Sequence, residues 1–163
     1  MKKIVSYMMT GILLLSFLLT GCGSPEPQTG KKMSMYYINT AETKVEVHEQ
    51  YLNTKTLDEQ LDETMRYLST TPEKLEYKAP LDMGFHVLDY EVEDGKLLIN
   101  VDKAYSELSP TTEVLVRAAI VRTLTQLPNV KYVGITVEDS QLYDNAGEMV
   151  GWMNAEQFIN NDG

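Results

Sequence analysis

The stretch from Lys96 to Glu138 limits what this chain can fold into more than any other. Leu97, Ile99 and Val101 alternate with Leu98, Asn100 and Asp102, the period of a half-buried strand. Ser109-Pro110 then marks a helix start. The serine oxygen can cap free N–H groups, and the proline ring fixes φ where no N–H is needed. Val116, Ile120, Leu124 and Leu127 recur at helical spacing and form one apolar stripe. Pro128-Asn129 ends the helix, and Val133, Ile135 and Val137 alternate as a second strand. Strand, long helix, strand implies a small domain of mixed helix and sheet; it carries no chemistry of its own.

The flanks extend this unit. Met35–Asn39 and Lys44–Glu49 read as two strands joined by a polar turn. Thr56-Leu-Asp-Glu59 is a capping box, opening a helix whose Leu57, Leu61, Met65 and Leu68 share a face. Asp58, Glu59, Asp62 and Glu63 lie off that stripe near the positive end of the helix dipole and read as a solvated helix start. Thr70-Thr71-Pro72 closes the helix, and Glu73 to Gly84 is irregular. Phe85–Val92 alternates, and Glu93-Asp-Gly-Lys96 is a hairpin signal, because Asp-Gly suits a type I′ turn. Gln141–Tyr143 and Met149–Met153, around Asp144–Gly147, predict a C-terminal hairpin. A second capping box at Asn154–Gln157 opens a short helix bearing Phe158 and Ile159. The expected fold is α+β: a small mixed sheet with two main helices packed on it, plus the C-terminal hairpin and short helix.

The N-terminus is a separate matter. Lys2 and Lys3 precede an apolar run, Gly11 to Leu19, and small residues follow it. That is the pattern of a secretory signal, and the run is short for an uncleaved membrane helix. Leu19-Thr20-Gly21-Cys22 resembles the lipobox of bacterial lipoproteins at every position of that motif. The resemblance implies cleavage before Cys22, a covalent diacylglycerol on its sulfur and an acylated or free new N-terminus. Cys22 is the only cysteine, so no intramolecular disulfide can form, and a lipid on sulfur explains a lone exported thiol. Gly23 to Lys32 is polar and rich in Gly and Pro, a flexible tether whose roughly ten residues reach about 20 Å. The expected organisation is a signal over residues 1–21, an anchored tether over 22–34 and one domain over 35–161, held on the outer face of the cell membrane.

Charge narrows the partners. Removing residues 1–21 deletes Lys2 and Lys3 and no acid, so the formal net charge moves from −10 to −12. Phosphate binding needs basic clusters, so nucleic acid is a poor fit. Broad adsorption to anionic lipid is equally disfavoured, which leaves tethering to the lipid chain.

Catalytic and metal patterns are sparse. The two histidines, His48 and His86, fall on predicted strands, with no HExxH or CxxC pattern to make a zinc site. No Gly-x-Ser-x-Gly elbow exists, and Asp144–Gly147 lacks the spaced ligands of a calcium loop. An enzyme would need Asp89, Asp102 and Asp139 to converge in a pocket. No cofactor or metal is expected. Trp152, with Tyr36, Tyr37, Tyr90, Tyr105, Tyr132 and Tyr143 on separate elements, could build a glycan-stacking face, although strand propensity and core packing explain the tyrosines equally well.

One feature points to a protein partner. The main helix has a second apolar patch, Val114, Ala118 and Val121, roughly opposite its core stripe and flanked by Arg117 and Arg122. A helix apolar on both sides is buried on both sides or meets another protein. With one sheet expected, these five residues are the candidate interface, unless the C-terminal hairpin and short helix cover them.

Leu98–Asp102, Leu115 to Val130 and Val133–Val137 together resemble the GerMN domain of sporulation and germination lipoproteins. The most specific part is Ala119-Ile-Val-Arg-Thr-Leu-Thr-Gln-Leu-Pro128; the capped helix at Thr56 and the tail Val150–Phe158 also fit. The resemblance spans roughly Tyr36 to Asn160 and departs at Ser69–Pro72, where the family more often has a Gly-Pro pair. It implies a non-catalytic envelope module of single-copy form, with a fold similar to the ring-building motifs of secretion and sporulation complexes. It also implies protein–protein interaction or assembly, with self-assembly included, and brings no catalytic residues. A peptidoglycan-binding module, resting on Trp152, is the alternative.

Overall fold

The computed structural model describes residues 30–71, 76–144 and 146–158. Leu19, Thr20, Gly21 and Cys22, and with them the signal and anchor, lie outside the described residues, as do Pro72, Asn145 and Ile159.

The strand–helix–strand stretch is realised as β5 (Lys96–Val101), α2 (Pro110–Leu124) and β6 (Tyr132–Val137), with β5 and β6 paired in parallel. Parallel neighbours need a long connection, and α2 supplies it. Ser109 caps α2 as expected, its Oγ accepting from the Thr112 N–H at 3.1 Å, with Pro110 in the first turn. Between β5 and α2 lies an unanticipated 3-10 helix, Lys103–Glu107, capped by the Asp102 carboxylate. β4 (Val87–Glu93) joins β5 through the expected turn, where Asp94 and Gly95 both have positive φ, 50° and 81°. β7 (Ser140–Gln141) closes the other side of β6, giving the order β4-β5-β6-β7.

β1 (Lys31–Asn39) and β2 (Val45–Leu52) pair antiparallel, and β1 takes a two-residue β3 (Tyr77–Lys78) at Ile38 and Asn39. These strands form a sheet of their own and do not join β4–β7. The class is α+β with two main helices, as expected, but the strands are divided between two sheets. α1 (Leu57–Leu68) begins at the Thr56 capping box, with both reciprocal bonds present at 3.3 and 3.1 Å. It packs against β1 and β2, burying Leu61, Met65 and Leu68.

The division decides what α2 touches. Its Val116, Ile120 and Leu124 stripe shares one core with Leu97, Ile99, Val101, Val133 and Ile135 of the second sheet. Its other side meets β1. There the Tyr36 N–H donates to Thr123 Oγ1 at 3.0 Å, and the Gln126 amide accepts from Ser34 N–H at 3.0 Å and donates to Ser34 C=O at 2.7 Å. Gln126 and Thr123 thus serve the edge of β1 that β3 leaves unpaired, which protects it from pairing with another chain.

The C-terminal hairpin is reduced to isolated bridges, Tyr143 with Met149 and Val133 with Met153. The hairpin is still closed by Val150 N–H donating to Leu142 C=O and Asp144 N–H to Glu148 C=O, both at 2.8 Å, and Met153 then exchanges two bonds with Val133 of β6. Asn154 N–H donates to Gln157 Oε1 at 2.9 Å, completing the predicted cap of a 3-10 helix, Ala155–Phe158. Among the described residues, no helix is long and apolar enough to cross a membrane.

Candidate docking surfaces

The five residues expected to form an interface on α2 do not share one surface. Val121 is fully buried and Ala118 nearly so, because β1 occupies the side of the helix that a single sheet would have left open. Arg117 is drawn inward: its guanidinium pairs with Glu113 at 2.6 Å and reaches Met153 Sδ at 3.9 Å. Glu113, itself buried, also accepts from the Tyr105 hydroxyl at 2.9 Å. That network ties the 3-10 helix, α2 and the C-terminal segment together and is structural. Burial, with the negative Glu113 beside it, pushes the Tyr105 hydroxyl well above the ordinary tyrosine range.

Val114, Ala118 and Arg122 do come together. With Leu115 they form one wall of a groove of about 340 Å³, facing Thr43, Lys44 and Val45 at the start of β2 and Phe158 of the C-terminal 3-10 helix. Val114 is its most open apolar member on α2, 44% exposed. Arg122 lies over the Tyr36 ring, 4.3 Å from its centroid. The Glu42 carboxylate accepts from Thr112 Oγ1 at 2.7 Å, pinning the β1–β2 turn to the start of α2. The groove therefore has walls from α2, β2 and the C-terminus held in fixed relation. The expected cover by the C-terminal short helix is partial.

A second surface lies on the outward face of the second sheet. Leu98, Gly134, Thr136 and Trp152 line a groove of about 170 Å³ there with Gln141 and Met149. Trp152 packs close against the strand because residue 134 is glycine: a Cβ at that position would come within 2.8 Å of Cζ3. Bonds of 2.8 and 2.9 Å between Val133 and Met153 hold the segment that carries it. The Lys96 ammonium stands 5.3 Å from the indole centroid, within cation–π range. Of the tyrosines considered for a stacking face, Tyr37 and Tyr105 are core residues, Tyr36 lies under Arg122, and Tyr90 donates to Asp62. Tyr132 and Tyr143 are exposed. Burial, and then the bond to Asp62, push the Tyr90 hydroxyl up to about 12.

The carboxylates considered for catalysis are occupied. Asp89 and Asp139 both accept from the Asn100 side-chain amide, at 3.1 and 2.8 Å, while Asn100 Oδ1 accepts from the Asp139 N–H at 3.0 Å. Buried Asn100 is a polar hub holding β4, β5 and the tight β6–β7 turn, where Glu138 and Asp139 have positive φ. Its role is invisible in an alternating strand pattern. Asp102 is elsewhere, paired with the exposed His86 at 2.8 Å, and that bond holds its carboxyl below the ordinary range. His48 sits in β2 opposite Met35. Among the described residues, no three His, Cys, Asp or Glu side chains gather as a metal site. Glu63, expected on a solvated face, is instead buried. It accepts from Asn53 N–H, Thr54 N–H and Thr54 Oγ1 at 3.0, 3.2 and 2.7 Å and caps the loop into α1.

A family model described as sporulation and spore germination matches residues 34–143. No curated protein matches the sequence significantly. Among solved structures, the first GerMN domain of the sporulation protein GerM from Bacillus subtilis is similar at TM-score 0.59 and 14% identity, covering 78% of this chain and 98% of that one. The tandem GerMN domains of the same protein match at TM-score 0.55 and 18% identity over 83% of this chain. This chain spans about half of that tandem structure, 49%. A chain described as a "Putative Lipoprotein" from Clostridium perfringens matches at TM-score 0.52 and 18% identity, covering 82% of this chain and 95% of that one. At these identities the likeness is one of fold.

Proposed function

The chain belongs to the sporulation and spore germination family, and on that premise we propose that it is a non-catalytic, lipid-anchored module on the outer face of the cell membrane that docks or co-assembles with other envelope proteins. The observation that carries this reading is the groove beside α2, where Val114, Leu115 and Ala118 face Val45 and Phe158 with Arg122 at the side. An apolar groove with a basic rim and rigid walls suits an inserted side chain of a protein partner. The anchor rests on the match of Leu19–Cys22 to a lipobox, with support from a fold shared with a chain described as a "Putative Lipoprotein". The non-catalytic reading is supported by the carboxylates: Asp89 and Asp139 meet as acceptors of the one Asn100 amide, and Asp102 stands apart, paired with His86.

Val114→Glu is the better probe of the groove, since Ala118 is too buried for a clean substitution. In cells, crosslinking of the anchored protein followed by mass spectrometry should recover defined envelope partners that Val114→Glu loses. Stability of the exported chain should change by less than about 0.5 kcal/mol, as for an exposed site. Partners captured equally by both forms would remove the groove from the interface.

Trp152, 43% exposed, favours one second reading, a wall-glycan module. Sedimentation with purified wall sacculi tests it: retention no greater than that of an unrelated lipoprotein would eliminate it.

A further inference from the structure

The outward face of the second sheet combines an apolar centre, as in the groove beside α2, with a margin of the opposite charge. Its centre is apolar and aromatic: Leu98, Tyr132, Met149 and Trp152, the last three 41%, 57% and 43% exposed. Its margin is acidic. Asp89 shares this face with Asn100, as their hydrogen bond requires, and the period of two places Glu91 and Glu93 beside it. Asp139 reaches the same amide from the β6–β7 turn. Among the described residues, none of these four carboxylates enters an ion pair. The cation of the face, Lys96, stands directly opposite Glu93 and over the indole.

We propose that this face is a docking surface for a basic protein segment that carries apolar side chains. The centre supplies what interface cores are enriched in, Trp, Tyr and Met, already held in place: the indole is seated on Gly134 and its segment is bonded to β6. Little ordering is left for binding to impose. The rim sets the sign of the partner, because four carboxylates facing a single lysine attract Lys and Arg and repel acidic chains. A neutral glycan would use the indole but has no use for the acidic margin, which is why the protein segment is favoured. The surface lies on the sheet face turned away from the α2 core stripe, and a cleft of about 330 Å³ lined by Arg117, Met149, Trp152 and Phe158 stands between it and the groove discussed above.

Trp152 is the only tryptophan, so fluorescence reports this face and the cleft beside it, and the Glu91/Glu93 and Val114 variants tell the two apart. The test titrates the full-length chain with a synthetic amphipathic peptide of Leu and Lys, with its Leu and Glu counterpart, and with solubilised wall glycan strands. The Lys peptide should give a saturable blue shift that weakens as salt rises from about 0.05 to about 0.5 M. Glu91→Lys/Glu93→Lys, on the exposed edge strand, should weaken binding about tenfold, whereas Val114→Glu should not. An equal response to the Glu peptide, no loss in the charge-reversed variant, or saturation by glycan without response to the Lys peptide would each overturn the proposal.

Discussion

Gly134→Ala tests how the indole is seated. The added Cβ would lie 2.8 Å from Trp152 Cζ3, 3.0 Å from Cε3 and 3.2 Å from Leu98 Cδ1, where ordinary contact begins at 3.4 Å. The ring must withdraw by about 0.6 Å, and it cannot slide along the strand because the Val133–Met153 bonds fix its segment. Gly134 does not have positive φ, so no backbone strain enters and the cost is overpacking at a half-exposed site. That places the loss near the low end of the usual range, about 1 kcal/mol, or roughly 3–5 °C in Tm. The indole should also become more exposed, with a red shift in its emission. Gly151→Ala is the control, since a Cβ there meets nothing within 4 Å; it should be neutral or stabilise by about 0.5 kcal/mol. Thermal unfolding followed by tryptophan fluorescence reads both variants. Equal losses in both, or an unchanged emission in Gly134→Ala, would refute the seating argument.

Other outcomes follow from the polar contacts. Arg117→Met should cost about 3–5 kcal/mol by chemical denaturation, because it leaves the buried Glu113 carboxylate without its cation. Gln126→Ala should cost about 1–3 kcal/mol and speed hydrogen exchange at the Ser34 amide, whose acceptor is removed. Between Asp102 and His86 the sign is that of a depressed carboxylate. The contribution is present above the unfolded Asp value, about 3.9, and is lost as pH falls through the lower folded one. His86→Ala should raise the Asp102 value, read by NMR titration of its carboxyl carbon.

Local chemistry was legible wherever a residue acts on its own neighbourhood. The Ser109, Thr56 and Asn154 caps, the Asp94-Gly95 turn and the strand–helix–strand unit all rest on fixed short spacings. What could not be read was which strands share a sheet. Nothing in the alternation of Met35–Asn39 says that it pairs apart from Leu97–Val101, and the error about α2 came from that. A single sheet leaves Val121 without a partner, whereas the separate sheet of β1 and β2 gives that side of α2 a layer to pack on. Phe85–Val92 shows a second limit: a bulge between Val87 and Asp89 shifts the phase, so Leu88 is exposed and His86 falls outside the strand. Glu63, Asn100 and Gln126 act on backbone far from them in the chain, and no spacing signals such bonds.

Most of the stretch from Ala119 to Pro128 is explained by the fold. Ile120, Leu124 and Leu127 fill the core, and Thr123 and Gln126 close the open edge of β1. These contacts hold the helix and the two sheets together, so likeness at Ile120, Thr123, Leu124, Gln126 and Leu127 speaks for architecture and not for partners. Partner choice has to be written where α2 and the sheets are not holding each other: at Val114 and Arg122 beside β2, and at Trp152, Glu91 and Glu93 on the outward sheet face. Val114 and the Glu91–Glu93 edge stand on different elements, α2 and β4, with a cleft lined by Arg117, Met149, Trp152 and Phe158 between the two surfaces. Substitutions in them should therefore be additive in stability and separable in binding, and a shared loss of both activities from Val114→Glu alone would mean that one of them is not a docking surface.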